Sequence, residues 1–327
     1  MSQTAPGKSY RKGISLIELF QMFPDEKTAE EWFEKKRWGQ VGKPTHCPLC
    51  GCSERVKPVL SRNPLPYRCA ECRRYFSVKT RTVMHRSHIP YQKWLIGIYL
   101  WATSLKGVSS MRLHRDLNIT QRSAWFMAQR LREAWNEGIP EMAGTFEVDE
   151  TFMGGKEKNK HKDKKLNAGR GAVGKVAVAG IKNRETNTIN AVVVARTDKE
   201  TLQGFVSDRV DTEATVFSDD FKSYHGLPYE HKTVKHSVGQ YVNGQAHTNG
   251  IESFWSLLKK GYHGTFHHFS PKHMNRYITE FATRYNVRPM NTIDIMGKSV
   301  KMMVGKRLTY QELALGETGY GSNVTTD

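Results

Sequence analysis

Thr145-Phe146-Glu147-Val148-Asp149-Glu150-Thr151-Phe152 alternates in character with a period of two, as a strand does when its two faces meet different surroundings. Phe146 and Val148 share one face and Glu147 and Asp149 the other, which aims a mid-strand carboxylate into a cleft. Two β-branched runs follow, Val176 to Ile181 and Ile189 to Val194. Then come a helical pattern from Lys199 to Arg209, a fourth strand from Thr215 to Phe217, and helical patterns from Gly250 to Tyr262 and from Ser270 to Val287.

Three strands in succession, then helix, strand and helix, give the order of an RNase H-like α/β domain rather than of a regular βαβ repeat, and place it at residues 143–290. Between its first two strands lies a basic, glycine-containing loop with Lys156, Lys158, Lys160, Lys162, Lys164, Lys165 and Arg170, suited to follow a phosphate backbone. From Met290 on, residues 291–327 read as a C-terminal tail, whose Gly/Ser/Thr-rich end is expected to be disordered.

All five cysteines lie between residues 47 and 72. Cys47-Pro-Leu-Cys50 and Cys69-Ala-Glu-Cys72 are two C-x-x-C turns with eighteen residues between them, the spacing of a four-thiolate structural zinc site, so 45–80 reads as a zinc ribbon. A redox dithiol needs only one such turn. Cys52 is the odd thiol, and a C-x4-C arrangement using it in place of Cys50 stays open. Arg68, Arg73 and Arg74 set cations beside the metal, whereas Tyr75 and Phe76 are expected to pack beneath it.

Before the ribbon (1–44), apolar residues from Leu16 to Phe33 at helical spacing are broken at Pro24-Asp25-Glu26, which predicts two short helices packed on the ribbon. After it, three helical stretches run from Tyr91 to Ser104, Ser109 to Leu117 and Thr120 to Trp135. The turn at Asn118-Ile119, Thr120 as N-cap, and an inner face of Ala124, Ala128, Leu131 and Trp135 match a helix-turn-helix at 88–138 that shows Gln121, Arg122, Gln129 and Arg130 outward. A helical unit that merely connects domains shares this pattern.

The formal charge is 50 − 32 = +18, spread along 327 residues, and points to a polyanionic partner, nucleic acid before a membrane. No run of apolar residues is long enough to span a bilayer and the N-terminus lacks a signal-peptide core, so a soluble, cytoplasmic protein is expected. Against this positive background three acidic positions stand out: Asp149, Asp219 with Asp220 after the fourth strand, and Glu252. Carboxylates on two strands and a following helix can hold two Mg²⁺ or Mn²⁺ ions about 3.5–4 Å apart for in-line attack at phosphorus. In the helix, Ile251, Phe254, Trp255 and Leu258 form an apolar stripe, while Glu252, Ser256 and Lys259 lie about a quarter-turn away, so a carboxylate and a phosphate-gripping cation face the same way.

These residues in this order resemble the transposases of the IS1595 group, which join a zinc-ribbon N-terminus to an ISXO2-like DDE domain. The resemblance rests on the Cys47 to Gly51 turn, Val148-Asp149-Glu150-Thr151 with Gly154-Gly155-Lys156, and Ser218-Asp219 five residues before Tyr224. It continues through His247-Thr248-Asn249-Gly250-Ile251-Glu252-Ser253-Phe254-Trp255 with Lys259, Gly264-Thr265-Phe266-His267, and Tyr277 to Phe281 with Arg284-Tyr285-Asn286. It implies a DNA transposase of an insertion sequence, binding terminal inverted repeats and target DNA and working as a homodimer or larger synaptic assembly. Asp149, Asp219 and Glu252 match the acidic triad and Lys259 the basic residue after it; Asp220 competes with Asp219, and Asn249 and His247 stand near the third position. Arg122, Arg130, Lys160, Lys162 and Lys259 are the expected DNA contacts, Mg²⁺ (or Mn²⁺) and structural Zn²⁺ the expected ions. Two other readings are a non-catalytic zinc-ribbon and helix-turn-helix regulator, and an RNase H-like nuclease without strand transfer.

Overall fold

The computed structural model describes residues 11–59, 61–136, 143–155, 174–234 and 248–315. The chain divides into two compact units, one made of 1–136 with 287–327 and the other of 137–286.

The first unit starts with two helices, as the Pro24 break predicts. Helix α1 (Leu16–Met22) begins with a capping box in which Ser15 Oγ accepts from Glu18 N–H at 3.1 Å and the Glu18 carboxylate accepts from Ser15 N–H at 2.6 Å. Asp25 caps α2 (Glu26–Trp38), which ends at Gly39 in the left-handed conformation. A three-stranded antiparallel sheet follows, β1 (Val56–Pro58), β2 (Tyr67–Cys69) and β3 (Tyr75–Phe76). Its inner face brings Tyr67 and Phe76 against Trp38 of α2, with ring centroids 5.3 and 6.5 Å away. Helices α3 (Tyr91–Thr103), α4 (Ser110–Leu117) and α5 (Gln121–Ala134) complete the N-terminal part. Pro90 offers α3 no side-chain cap, and the Glu26 carboxylate takes that role by accepting from Tyr91 and Gln92 N–H at 2.6 and 2.9 Å.

Between α4 and α5 the chain turns on Asn118 in the left-handed region, and Thr120 caps α5. Ala124, Ala128, Leu131 and Trp135 are buried, as the periodicity predicts, but the outward face is smaller than expected. Gln121 and Arg122 are exposed, whereas Gln129 is fully buried and Arg130 half-buried. The reason is a segment read as tail: Arg130 donates to the Leu308 carbonyl at 3.4 Å and stacks on Phe126.

The second unit is a mixed five-stranded sheet. Strands β4 (Thr145–Met153), β5 (Val176–Asn183), β6 (Ile189–Val194), β7 (Thr215–Asp219) and β8 (Glu230–Val234) are ordered β6-β5-β4-β7-β8, with β4, β5 and β6 antiparallel and β4, β7 and β8 parallel. β8 is not evident in the sequence, because Glu-His-Lys-Thr-Val is a polar edge strand with an exposed Lys232 to Glu230 ion pair. One sheet face, with Phe146, Val148, Ile181 and Val216, packs on Leu202 and Val206 of α6 (Lys199–Ser207). The opposite face packs on α7 (Asn249–Gly261) and α8 (Met274–Val287) through Val178, Ala191, Ile251, Phe254, Trp255, Leu258, Ile278 and Phe281. A single π-helical turn, Tyr262–Phe266, follows α7. The edge strand β6 is covered by asparagines of α8: Asn286 both accepts from Ile189 N–H (2.7 Å) and donates to its carbonyl (2.9 Å), and Asn275 accepts from Val193 N–H (2.9 Å).

The chain then returns to the first unit. Within the segment read as C-terminal tail, Thr292–Met302 is a helix, α9, whose Ile295, Met296 and Val300 are buried with Leu19, Phe33, Cys47, Trp94 and Leu131 in one core. A short helix α10 (Tyr310–Leu315) follows and sets Tyr310 under the Arg122 guanidinium at 4.5 Å. The segments divided in the sequence at 44, 80 and 291 therefore share one hydrophobic core. Residues 316–327, the Gly/Ser/Thr-rich end, lie outside the described residues.

Candidate active site

In the first unit the two C-x-x-C turns converge. The Sγ atoms of Cys47, Cys50, Cys69 and Cys72 all lie within 4.8 Å of one another, with Cys47 to Cys72 and Cys50 to Cys69 both 3.7 Å. Four thiolates 2.3 Å from a zinc ion form a tetrahedron with edges of about 3.8 Å, so the set fits Zn²⁺. Gly51, at φ 80°, makes the tight turn that lets its N–H bond the Cys47 carbonyl at 2.9 Å. Cys52 stands outside the four; its carbonyl accepts from Cys47 N–H at 2.7 Å, and Cys50 supplies the ligand position.

In the second unit, Asp149, Glu150, Glu252 and Lys259 line one cleft of about 640 Å³, together with Trp255 and His263. β4 and α7 are tied together there. The carboxylate of Glu147, 1% exposed, accepts from Arg184 Nε at 3.0 Å and from Ile251 N–H, in the first turn of α7, at 2.8 Å. It caps a helix whose own N-cap residue, Thr248, makes no side-chain cap bond. Two residues along β4 on the same face, Asp149 Oδ2 accepts from Trp255 Nε1–H at 2.9 Å while its Oδ1 accepts from Glu150 N–H at 2.8 Å. Trp255 reaches that position because Gly180, the β5 partner of Asp149, has no side chain. Glu252 Oε1 accepts from Thr248 Oγ1 at 3.1 Å.

Asp219 comes to the same end of the sheet on the neighbouring parallel strand. The last β4 to β7 pair is Glu147 with Phe217, so Asp149 and Asp219 each lie two residues beyond it. Asp219 Oδ1 accepts from Phe221 N–H at 3.1 Å, and its charge reaches both Asp149 and Glu150. Asp220 is more exposed and is 3.4 Å from His225 Nε2. Of the residues singled out in the sequence, the structure thus gathers Asp149, Glu252 and Lys259 in the cleft, with Asp219 at the end of the neighbouring strand. Lys160, Lys162 and His247 lie outside the described residues. Glu150, Trp255 and His263 were not read as site residues; the signal for Trp255 is that a buried indole N–H needs an acceptor.

The electrostatics of the cleft are unusual for so basic a chain. Burial, then the neighbouring Glu150 and Asp219, push the Asp149 carboxyl up to about 8. Burial and Asp219 push Glu150 up to about 7, and burial with the nearby Glu150 and Asp149 raises the Tyr224 hydroxyl as well. Among the described residues no Lys or Arg pairs with Asp149 or Glu150, and Glu150 Oε2 is buried with no hydrogen-bond partner. Hard oxygen donors that are buried close together and repel one another fit a divalent cation of the Mg²⁺ or Mn²⁺ kind.

A mixed α/β domain with an acidic cleft at adjacent ends of two parallel strands is the class of protein defined so far. Residues 141–286, nearly all of the second unit, match the family described as ISXO2-like transposase domain. The chain is similar to an uncharacterized protein in the transposable element ISH50 of Halobacterium salinarum, 25% identical over 250 residues that cover 73% of this chain and 83% of the relative. It is also 26% identical over 117 residues, 35% of this chain and 94% of the relative, to an uncharacterized transposase-like protein of Haemophilus influenzae.

Proposed function

We propose that the chain is the DNA transposase of an insertion sequence, an RNase H-like enzyme that cuts and joins DNA at a DDE triad of Asp149, Asp219 and Glu252. The observation that carries this reading is the cleft in which the carboxylates of Asp149 and Glu252 lie with Lys259, while Asp219 comes alongside on β7. Asp149, Asp219 and Glu252 would hold two divalent cations, which when bound supply Lewis-acid stabilisation to the attacking and leaving oxygens of an in-line displacement. Trp255 and the Glu150 N–H orient the Asp149 carboxylate, Glu147 fixes the start of the helix bearing Glu252, and Lys259 grips the phosphate next to the scissile bond. The exposed Arg122 and Gln121 at the start of α5 fit a helix-turn-helix reading of α4 and α5, and a zinc ion on the four thiolates would hold the ribbon that joins it in recognising the terminal repeats.

The test is Mg²⁺-dependent cleavage and joining of a labelled duplex carrying the element's terminal repeat, with Asp149→Ala and Glu252→Ala beside the intact protein and DNA binding followed in parallel. The intact protein joins DNA and both variants bind without reacting. Cleavage without joining of a precut end would make the enzyme a nuclease; equal binding with no cleavage by any of the three would make it a regulator.

A further inference from the structure

The acids of the second unit differ in how fully the protein itself occupies them. Glu147 is bonded through one oxygen by Arg184 and through the other by the Ile251 N–H. Both Asp149 oxygens accept hydrogen bonds, from Trp255 and from Glu150 N–H. Asp220 faces His225. Glu150 alone among them combines two features: it lines the cleft that Asp149, Glu252 and Lys259 line, and its Oε2 is buried with no hydrogen-bond partner among the described residues.

A buried carboxylate oxygen without a donor forfeits its hydration with nothing in return, a cost larger for a charged group than for a neutral one. Sequence position makes this more notable, because a strand would ordinarily turn Glu150 to the opposite face from Asp149. It does start towards that face, where Tyr224 packs with Phe146 and Val148. The β4 to β7 ladder stops at Glu147 and Phe217, however, so beyond that pair no strand covers this side of β4, and Glu150 stands where Asp219 repels both it and Asp149.

We propose that Glu150 is a further cation ligand of this site, acting beside the Asp149, Asp219 and Glu252 set on which the proposed function rests. Its buried Oε2 is the oxygen left for the ion.

The experiment titrates Mn²⁺ into the zinc-loaded full chain, reads free Mn²⁺ by electron paramagnetic resonance, and records thermal melts with and without the ion. The proteins are the intact chain, Glu150→Gln, Glu150→Asp and Asp149→Asn. Glu150→Gln raises the metal-free melting temperature, because it removes a charge that repels Asp149 and Asp219, and it weakens Mn²⁺ binding by at least the roughly tenfold that a change behind a ligand costs. A carboxylate with a merely structural role would do the opposite on the first count and nothing on the second. Should Glu150→Gln fail to fold, Glu150→Asp carries the test, since it keeps the charge but withdraws the oxygen by one methylene and is expected to lose affinity on the same scale. Intact-like Mn²⁺ affinity in the folded Glu150 variant, with affinity lost in Asp149→Asn, overturns the proposal and leaves the site standing. Intact-like affinity in Asp149→Asn as well overturns the metal-site reading itself.

Discussion

Gly180→Ala adds one methyl group to the centre of the sheet and should disable the protein through a residue that the methyl touches, not through the strand it sits on. A Cβ built on Gly180 lies 2.6 Å from Cζ2 and Cη2 of Trp255 and 3.1 Å from Cδ1 of Ile251. Carbon atoms in contact sit about 3.5–4.0 Å apart, so the indole must retreat by about 1 Å. Its Nε1–H bond to Asp149, now 2.9 Å, then opens beyond hydrogen-bonding range. Overpacking of this kind costs about 1–3 kcal/mol, and losing a hydrogen bond to a carboxylate about 1.5–3 kcal/mol. For a unit of this size about 3 kcal/mol lowers the melting temperature by on the order of 10 °C. A catalytic carboxylate misplaced by about 1 Å loses on the order of a hundredfold in rate. The assay pairs a thermal melt with the strand-transfer rate, and terminal-repeat binding should be unchanged. In a Trp255→Ala background the indole clash is gone and only the 3.1 Å approach to Ile251 Cδ1 is left, so Gly180→Ala should cost much less than in the intact protein. An unchanged melt and rate in the single variant, or the same destabilisation in both backgrounds, would refute the idea that Gly180 exists to seat Trp255 on Asp149.

Three other outcomes are expected. With Asp149 held near 8 and Glu150 near 7, above their ordinary 3.8 and 4.5, the folded chain binds more protons than the unfolded one between about pH 4 and 8, so metal-free stability falls as pH rises through that window. Melts at pH 5.5 and 8.5 should show this fall, Asp149→Asn and saturating Mn²⁺ should each reduce it, and a flat intact profile would contradict the assignment. Cys52→Ser should leave one zinc per chain and an unchanged melt, whereas Cys69→Ser should lose the metal and unfold the first unit, read by atomic absorption and circular dichroism. Gln129 is fully buried with neither amide atom bonded, so Gln129→Met should raise the melting temperature of the first unit, by about 2–4 °C for each of the 1–3 kcal/mol recovered; a fall would show that the amide has a partner.

What the sequence made legible was whatever a short-range period encodes. The alternation around Asp149, the stripe of Ile251, Phe254, Trp255 and Leu258, the cap at Thr120 and the two cysteine turns all specify geometry within a few residues, and each stands as read. What escaped depends on partners distant in the chain. Gln129 and Arg130 read as outward because the segment that covers Arg130, around Leu308, is nearly 180 residues away. Helix α9 read as tail because Thr292–Met302 mixes Asp294, Lys298 and Lys301 with its apolar residues and only the finished core shows which face is buried. Glu147 looked like a companion of Asp149 on the same strand face, and only the Arg184 and Ile251 N–H bonds reveal it as the acid that closes the start of α7. Strand β8 lacked an apolar period altogether, being held by its ladder to β7.

The first unit is interrupted by the second, and this orders events during synthesis. Ile295, Met296 and Met303, each with no exposed surface, fill the core shared by α1 to α5, yet they leave the ribosome after all of residues 137–286. At about 5–20 residues per second those 150 residues take on the order of 8–30 s, during which the helices already made have an open core. The inserted unit is contiguous and can close first, so the chain matures from the middle outward. A ribosome that stalls within the second unit therefore releases no finished first unit.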